Sequence, residues 1–183
     1  ALALRSTLTS AVAKPCIAHM PLPVGTNDMG ACREFVDQLH TWYGRSQLFE
    51  LLDFDSGFCS LENANHVNEL GYGYIFALKD NQPELLAEAK RGLLPWAQQA
   101  TFEAETPWEL RNGNWIRRRL YRSTEMAGWP TTVGTWDHLR QVWLVRQETR
   151  SPQGKIEIED RFFIVRERVR LPRFEIERSE SLT

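Results

Sequence analysis

Long apolar runs, cysteine pairs and excess positive charge are all missing from this sequence, and each absence excludes a class of protein. No stretch reaches the roughly eighteen apolar residues that a membrane-spanning helix needs. The amino end lacks the basic and then apolar pattern of a signal peptide. The 3 cysteines are widely spaced and provide neither a disulfide framework nor a CxxC metal pair. The sequence therefore predicts a cytoplasmic protein without a membrane partner.

Charge and glycine usage narrow the function further. Lys and Arg number 22 against 24 Asp and Glu, for a net charge of -2, so any contact with nucleic acid must rest on a local patch. No glycine-rich phosphate loop is present, which argues against a third interpretation, a small-molecule-binding α/β domain with a β insertion. The chain has 183 residues, of which 42% are hydrophobic, and this is sufficient for a buried core. The length predicts one domain with an added segment.

The most informative stretch is 48–94, which alternates strand and helix patterns. An apolar run at 48–54 predicts a buried strand, and 61–70 has helical periodicity. A second strand is predicted at 72–79 and a second helix at 84–94. The order is βαβα, which is typical of an α/β sheet with parallel strands.

The predicted ends of these elements have matching signals. Ser60 can cap the first helix, and Gly71 supplies a left-handed stop. Pro83 suits the first turn of the second helix, and the Leu94-Pro95 step is expected to end it.

Asp55 and Lys79 lie at the carboxyl ends of the two predicted strands, where ligand chemistry usually occurs in open α/β sheets. A carboxylate and an ammonium group would then share one edge of the sheet. The residues alone leave a second interpretation open, since Asp before Ser-Gly is common in turns and a lysine often ends a strand in solvent.

Two segments resemble the central block of bacterial insertion-sequence transposases of the DDE type. They are the run DSGFCS at 55–60 and the run YIFALKDNQPEL at 74–85. In that family one strand ends in the second catalytic aspartate, and the next ends in an Ala-Leu-Lys-Gly-Asn-Gln-Pro-like motif. Asp80 stands here where glycine is usual.

The resemblance implies an RNase H-like fold and a prokaryotic, metal-dependent DNA transposition enzyme. Asp55 would be a catalytic, metal-binding residue for Mg²⁺, with Mn²⁺ as an alternative ion. The implied partners are the ends of the insertion sequence and target DNA, with a homodimer in the complete enzyme. The residues that the resemblance and local charge assign to DNA contact are Lys79, Asn81, Gln82, Arg111, Arg117, Arg118 and Arg119.

The family's other two catalytic carboxylates are not recognisable. The first aspartate would precede the present chain, and no His-Trp-Gly-Ile-Glu-Asn-like motif is found before Thr183. We therefore expect a fragment that is inactive as this chain, or a non-catalytic DNA-binding or assembly remnant of the same fold. Weak candidates for the missing carboxylate are Glu103, Glu105, Glu109, Glu157 and Glu159.

The remaining segments divide the sequence into three parts. Residues 1–100 are expected to form the partial RNase H-like core, opening with a hairpin of strands at 4–13 and 16–24 and an amphipathic helix at 29–43. In residues 101–166, polar and apolar residues alternate with a period of two. This pattern predicts a β-rich insertion subdomain of antiparallel strands that is separate from the core. Residues 167–183 are charged and lack an apolar stripe, which predicts a disordered tail.

Alternation also bears on the arginines. Arg117 and Arg119 should point to one face of their strand and Arg118 to the other, so the run cannot form one flat patch. Contact with phosphates and a merely solvated strand face both remain open interpretations.

Overall fold

The computed structural model describes residues 3–8, 14–22, 28–99 and 101–166. Within them the chain forms helices α1 (Asp28–Tyr43), α2 (Leu61–Glu69) and α3 (Pro83–Gln98). Short 3-10 turns occupy Gly44–Ser46 and Ser56–Phe58. No helix in these ranges is long and apolar enough to cross a membrane.

The strands within the described residues are β1 (Ala3–Thr7), β2 (Cys16–Pro21), β3 (Leu51–Phe54), β4 (Gly73–Leu78), β5 (Ala104–Glu105), β6 (Glu109–Arg111), β7 (Asn114–Ser123), β8 (Pro130–Thr131), β9 (Gly134–Thr135), β10 (Gln141–Arg150) and β11 (Ile156–Arg166). Strands and helices alternate from β3 to α3, and the later strands follow one another directly. β1 and β2 pair as an antiparallel hairpin, as predicted, and β8 and β9 form a second small pair.

A 7-stranded sheet in the order β3-β4-β11-β10-β7-β5, with β6 also on β7, forms the centre of the molecule. β3 and β4 are parallel, with Phe54 beside Phe76. Every other pair in the sheet is antiparallel. The predicted α/β class and the predicted parallel pairing of β3 and β4 are thus confirmed.

The antiparallel strands predicted within 101–166 are present, but they are not set apart from the α/β unit. β11 pairs directly with β4, placing Ile164 beside Phe76. Phe162, Ile164 and Val165 are all buried. The apolar carboxyl-terminal part of β11 is stabilised by burial in the middle of the sheet. Alternation of polar and apolar residues within 101–166 predicts local pairing of its own strands, but it does not predict that β11 pairs with β4.

All three helices contribute to one core on the Phe76 side of the sheet. Phe54 and Phe76 stack there with ring centroids 4.5 Å apart. The helical side chains in this core include Cys32, Val36, Ala64, Val67, Leu85, Leu86, Ala89 and Leu93. The opposite face of β3 and β4 therefore has the more polar and exposed residues, and the candidate site lies on it.

Helix α3 runs past the predicted stop at Leu94-Pro95 and ends at Gln98. A proline here removes the backbone N–H that would donate to the carbonyl of Arg91, so the last turn needs other support. Two contacts support the last turn: Gln99 donates to the carbonyl of Trp96, and Arg146 donates to the carbonyl of Ala97. Pro95 is therefore accommodated inside the helix.

The other predicted boundaries agree with the structure. The Ser60 hydroxyl accepts from the backbone N–H of Asn63 at 3.1 Å, Gly71 has φ of 87°, and Pro83 opens α3. The predicted helix at 29–43 corresponds to α1. Residues 9–13 and 23–24 of the predicted hairpin, and the predicted tail at 167–183, lie outside the described residues.

Candidate site at the carboxyl edge of β3 and β4

The parallel pairing of β3 and β4 brings Asp55 and Lys79 to the same edge of the sheet. Phe54 is level with Phe76, so Asp55, the next residue, is level with Ala77 and Lys79 lies slightly beyond it. Both side chains are exposed. The predicted juxtaposition of a carboxylate and an ammonium group at this edge is confirmed.

Asp53 joins Asp55 on the same face, because residues two apart on a strand point the same way. The pKa of the Asp53 carboxyl is raised, first by burial and further by the charge of Asp55, although a hydrogen bond from the Phe54 backbone opposes the rise. Sequence reasoning missed this residue because it interrupts an apolar run. The spacing of Asp53 and Asp55 was the signal that could have found it.

Strand β11 adds a further ion pair to this face. Phe162 is level with Leu78, which places Arg161 level with Lys79. The Nε of Arg161 donates to Oε1 of Glu159 at 2.8 Å. That hydrogen bond raises the pKa of Arg161, and the negative charge of Asp55 raises it further. The Asp55 carboxylate and the Arg161 guanidinium therefore attract each other across this edge.

Asp55 also has the local role expected of a turn residue. Its Oδ1 accepts from the backbone N–H of Ser56 at 2.7 Å and lies 3.4 Å from the Ser56 hydroxyl. These contacts orient the carboxylate at the start of the 3-10 turn. The two interpretations of Asp55 are therefore compatible, since one carboxylate has several acceptor positions.

Asn81 and Gln82 hold the two loops of this edge together. Nδ2 of Asn81 donates to the carbonyls of Ser56 and Cys59, at 2.8 and 3.1 Å. Nε2 of Gln82 donates to the same Cys59 carbonyl at 3.0 Å. These three hydrogen bonds join the loop after β3 to the loop after β4. The amide donors of both residues thus serve the protein's own backbone, and the predicted contact of these residues with DNA stays a prediction.

The carboxylates at this edge fall short of the set that two divalent ions need. Across residues 3–8, 14–22, 28–99 and 101–166, no three His, Cys, Asp or Glu side chains converge as they would around a metal ion. The five glutamates considered as further ligands are all in ion pairs, namely Glu103 with Arg122, Glu105 with Arg117 and Arg119, Glu109 with Arg111, Glu157 with Lys155, and Glu159 with Arg161.

The predicted DNA-binding arginines separate into two groups. Arg117 and Arg119 lie on the helix-covered face and share Glu148, at 2.6 and 2.9 Å. Arg111 pairs with Glu109. Arg118, within the described chain, has no ion pair. Its cross-strand neighbour Gln147 is itself level with Glu159 of β11, which places Arg118 on the face of Asp55 and Lys79.

The pairs around Glu148 lie in the middle of the antiparallel strands rather than at the carboxyl edge. Arg117 and Arg119 also contact Glu105, and Arg117 and Arg150 lie over the Trp108 ring at 4.6 and 5.1 Å. Opposite charges in such a network neutralise one another. The least compensated predicted cations are therefore Lys79 and Arg118, on one face of the sheet. Comparison with protein-family models, curated proteins and solved structures finds no match to this chain.

Proposed function

We propose that this chain contains the central part of an RNase H-like catalytic domain from a DDE-type transposase, and that the chain by itself binds DNA without cutting it. The observation that supports the proposal most is the placement of Asp55 and Lys79 at one edge of two parallel strands linked by α2. That edge is where α/β sheets of this kind position their reactive groups.

The complete family enzyme would use divalent ions at this edge to activate water and then a 3′ hydroxyl against a DNA phosphodiester. Asp55, with Asp53 beside it, would supply the hard oxygen ligands that Mg²⁺ or Mn²⁺ prefers. Asp53 and Asp55 by themselves do not fit a pair of ions, since two-metal sites need several converging carboxylates. We therefore assign no cleavage step to this chain.

DNA would lie across the face that Asp55 shares with Lys79 and Arg118. Lys79 and Arg118 are three strand spacings apart across the sheet and about two residues apart along it, roughly 16 Å in all, which a few successive phosphates of one DNA strand can span. Arg117 and Arg119 lie on the opposite face, in ion pairs, and would contribute little. Contacts of this kind are independent of sequence and sensitive to salt.

The binding test compares Lys79→Gln and Arg118→Gln with Arg117→Gln and Lys90→Gln in salt titrations on duplex DNA. We expect each of the first two changes to weaken binding and to reduce the dependence on salt by about one counterion, because each removes one phosphate contact. Lys90 is exposed on α3, on the helical side, and serves as the matched control. Equal effects from all four changes would refute this binding face.

The activity test measures strand cleavage of a plasmid carrying insertion-sequence ends, with Mg²⁺ or Mn²⁺. We expect none from this chain, whether wild type or Asp55→Ala. A version extended at both termini by the flanking reading frame separates the transposase from the alternative, a non-catalytic DNA-binding or assembly remnant. Cleavage by the extended version that Asp55→Ala abolishes supports the transposase. Cleavage by the unextended chain would contradict the proposal.

A further inference from the structure

We propose that a cavity at the opposite, amino-terminal edge of β3 and β4 binds a nucleotide unit, that is, a phosphate group joined through a sugar to a planar base. The cavity has a volume of ≈ 580 Å³ and lies between the end of α1 and the starts of β3, β4 and β10. It is separate from the Asp55 edge by the length of the strands, and the proposal does not depend on the transposase assignment.

Two arginines line the cavity. Arg140 precedes β10 and Arg166 ends β11. Nη1 of Arg140 donates to the carbonyls of Asp137 and Leu139, and Nη1 of Arg166 donates to the carbonyl of Tyr72 at 2.6 Å. Backbone carbonyls thus orient both guanidinium groups beside one cavity, and Arg140 has no carboxylate partner within the described chain. Guanidinium groups bind phosphate oxygens in a planar, bidentate manner.

Aromatic rings form another wall. Phe49 and Tyr72 have ring centroids 5.4 Å apart, and His40 meets Tyr72 edge-on at 5.6 Å. Nδ1 of His40 and the Tyr72 hydroxyl form a hydrogen bond of 3.0 Å that fixes both rings. His40, Phe49 and Tyr72 all line the cavity. Aromatic side chains bind nucleic acid bases by stacking, largely without regard to which base it is.

Two further residues support a ligand larger than an inorganic anion. Among the described residues that line the cavity, Glu50 is the one with a carboxylate, and it can accept hydrogen bonds from sugar hydroxyls. Gln47 also lines the cavity, and its side-chain amide can both donate to and accept from the polar groups of a sugar or base. The volume is in the range of small-ligand sites and exceeds what phosphate alone would fill.

The test is calorimetric titration of the folded chain with AMP, adenosine and inorganic phosphate at fixed salt. We expect AMP to bind more tightly than either of its parts, because only AMP contacts both walls. Arg140→Gln should weaken AMP binding roughly tenfold or more and leave adenosine binding nearly unchanged, as expected for loss of a charged hydrogen bond. Arg91→Gln, an exposed arginine on α3, is the matched control and should change nothing.

Glu50→Gln keeps the proposal testable if Arg140→Gln fails to fold. It removes the repulsion between a carboxylate and the phosphate, so binding of inorganic phosphate should become several-fold tighter. An oligonucleotide with a 5′ phosphate is compared with AMP. Tighter binding of the oligonucleotide indicates that the site takes the end of a strand, tighter binding of AMP indicates a free nucleotide, and either result supports the site. Lys79→Gln should leave AMP binding intact, which separates this site from the DNA-binding face.

Two results would overturn the proposal. One is the lack of saturable AMP binding at millimolar concentration by a wild-type chain shown to be folded. The other is AMP binding that neither Arg140→Gln nor Glu50→Gln alters.

Discussion

The side-chain amide of Asn81 donates to the backbone carbonyl of Ser56 across 2.8 Å, joining two loops that are 25 residues apart in the sequence. One loop contains Asp55 and the other begins with Lys79. The position of the carboxylate relative to the ammonium group therefore depends on a neutral amide that contacts neither of them.

Replacing Asn81 by Ala should lower the free energy of unfolding by about 1–2 kcal/mol, because part-buried carbonyls of Ser56 and Cys59 lose a donor. Chemical denaturation measures the change. Asn65→Ala, at a half-buried position of α2, is the control and should have almost no effect. An Asn81→Ala protein as stable as the wild type would mean that water replaces the amide at no cost.

Arg146→Met should destabilise the protein by about 3 kcal/mol. Arg146 forms two hydrogen bonds with Asp160, both at 2.8 Å, and a third with the carbonyl of Ala97 at the end of α3. Its side chain is only 14% exposed, so removal leaves a largely buried carboxylate without a partner. Thermal and chemical unfolding check this value.

Arg161→Met is the matched control for Arg146→Met, since the Arg161–Glu159 pair is exposed and should contribute under about 1 kcal/mol. Adding Asp160→Leu to Arg146→Met should recover part of the loss by removing the unpaired charge. Similar losses for the two arginines would contradict the distinction between buried and exposed pairs.

Asp53→Asn should stabilise the protein at neutral pH and have no effect in acid. The pKa of Asp53 is raised in the folded state, so the ionised form is penalised there relative to the unfolded chain. That penalty is absent below the ordinary pKa and develops fully as the pH rises through the raised value. Unfolding at about pH 7 and about pH 3 tests the sign, and a loss of stability at pH 7 would show that the charge is held favourably.

The three cysteines should differ in their reaction with a thiol reagent. Burial raises the pKa of the Cys32 and Cys59 thiols to about 12, whereas Cys16 is exposed on β2. At pH 8 we expect one fast reacting thiol per chain, removed by Cys16→Ser, and two that react only in denaturant. Fast reaction of a second thiol would indicate that α1 or the 3-10 turn opens readily.

The α/β half of the fold was predictable because its signals are local. Ser60, Gly71 and Pro83 act within their own turns, and the apolar strands leave one plausible order. The carboxyl-edge position of Asp55 and Lys79 follows from that order alone. Long-range pairing was not accessible in the same way, because nothing near Phe76 in the sequence indicates that Ile164 is its neighbour.

The site itself was only partly predictable. Arg117 and Arg119 looked like cations available to DNA, and only the register that places Glu148 beside Arg117 shows them to be paired. Asn81 looked like a polar contact for a ligand, whereas its amide serves the loop of Ser56. Charge in a sequence is visible, but charge compensation between strands is a property of the fold.

The pairing of β11 with β4 has a consequence for how the chain folds. Arg166 donates to the carbonyl of Tyr72 from 94 residues away, so the middle of the sheet closes only after the β-rich segment has been made. Until then β4 is paired with β3 on one side only, and the backbone groups on its other side have no partner strand. Unpaired apolar strand edges of this kind associate with other chains. We expect slow refolding, as is usual for topologies with many distant contacts, and aggregation that increases with protein concentration during refolding.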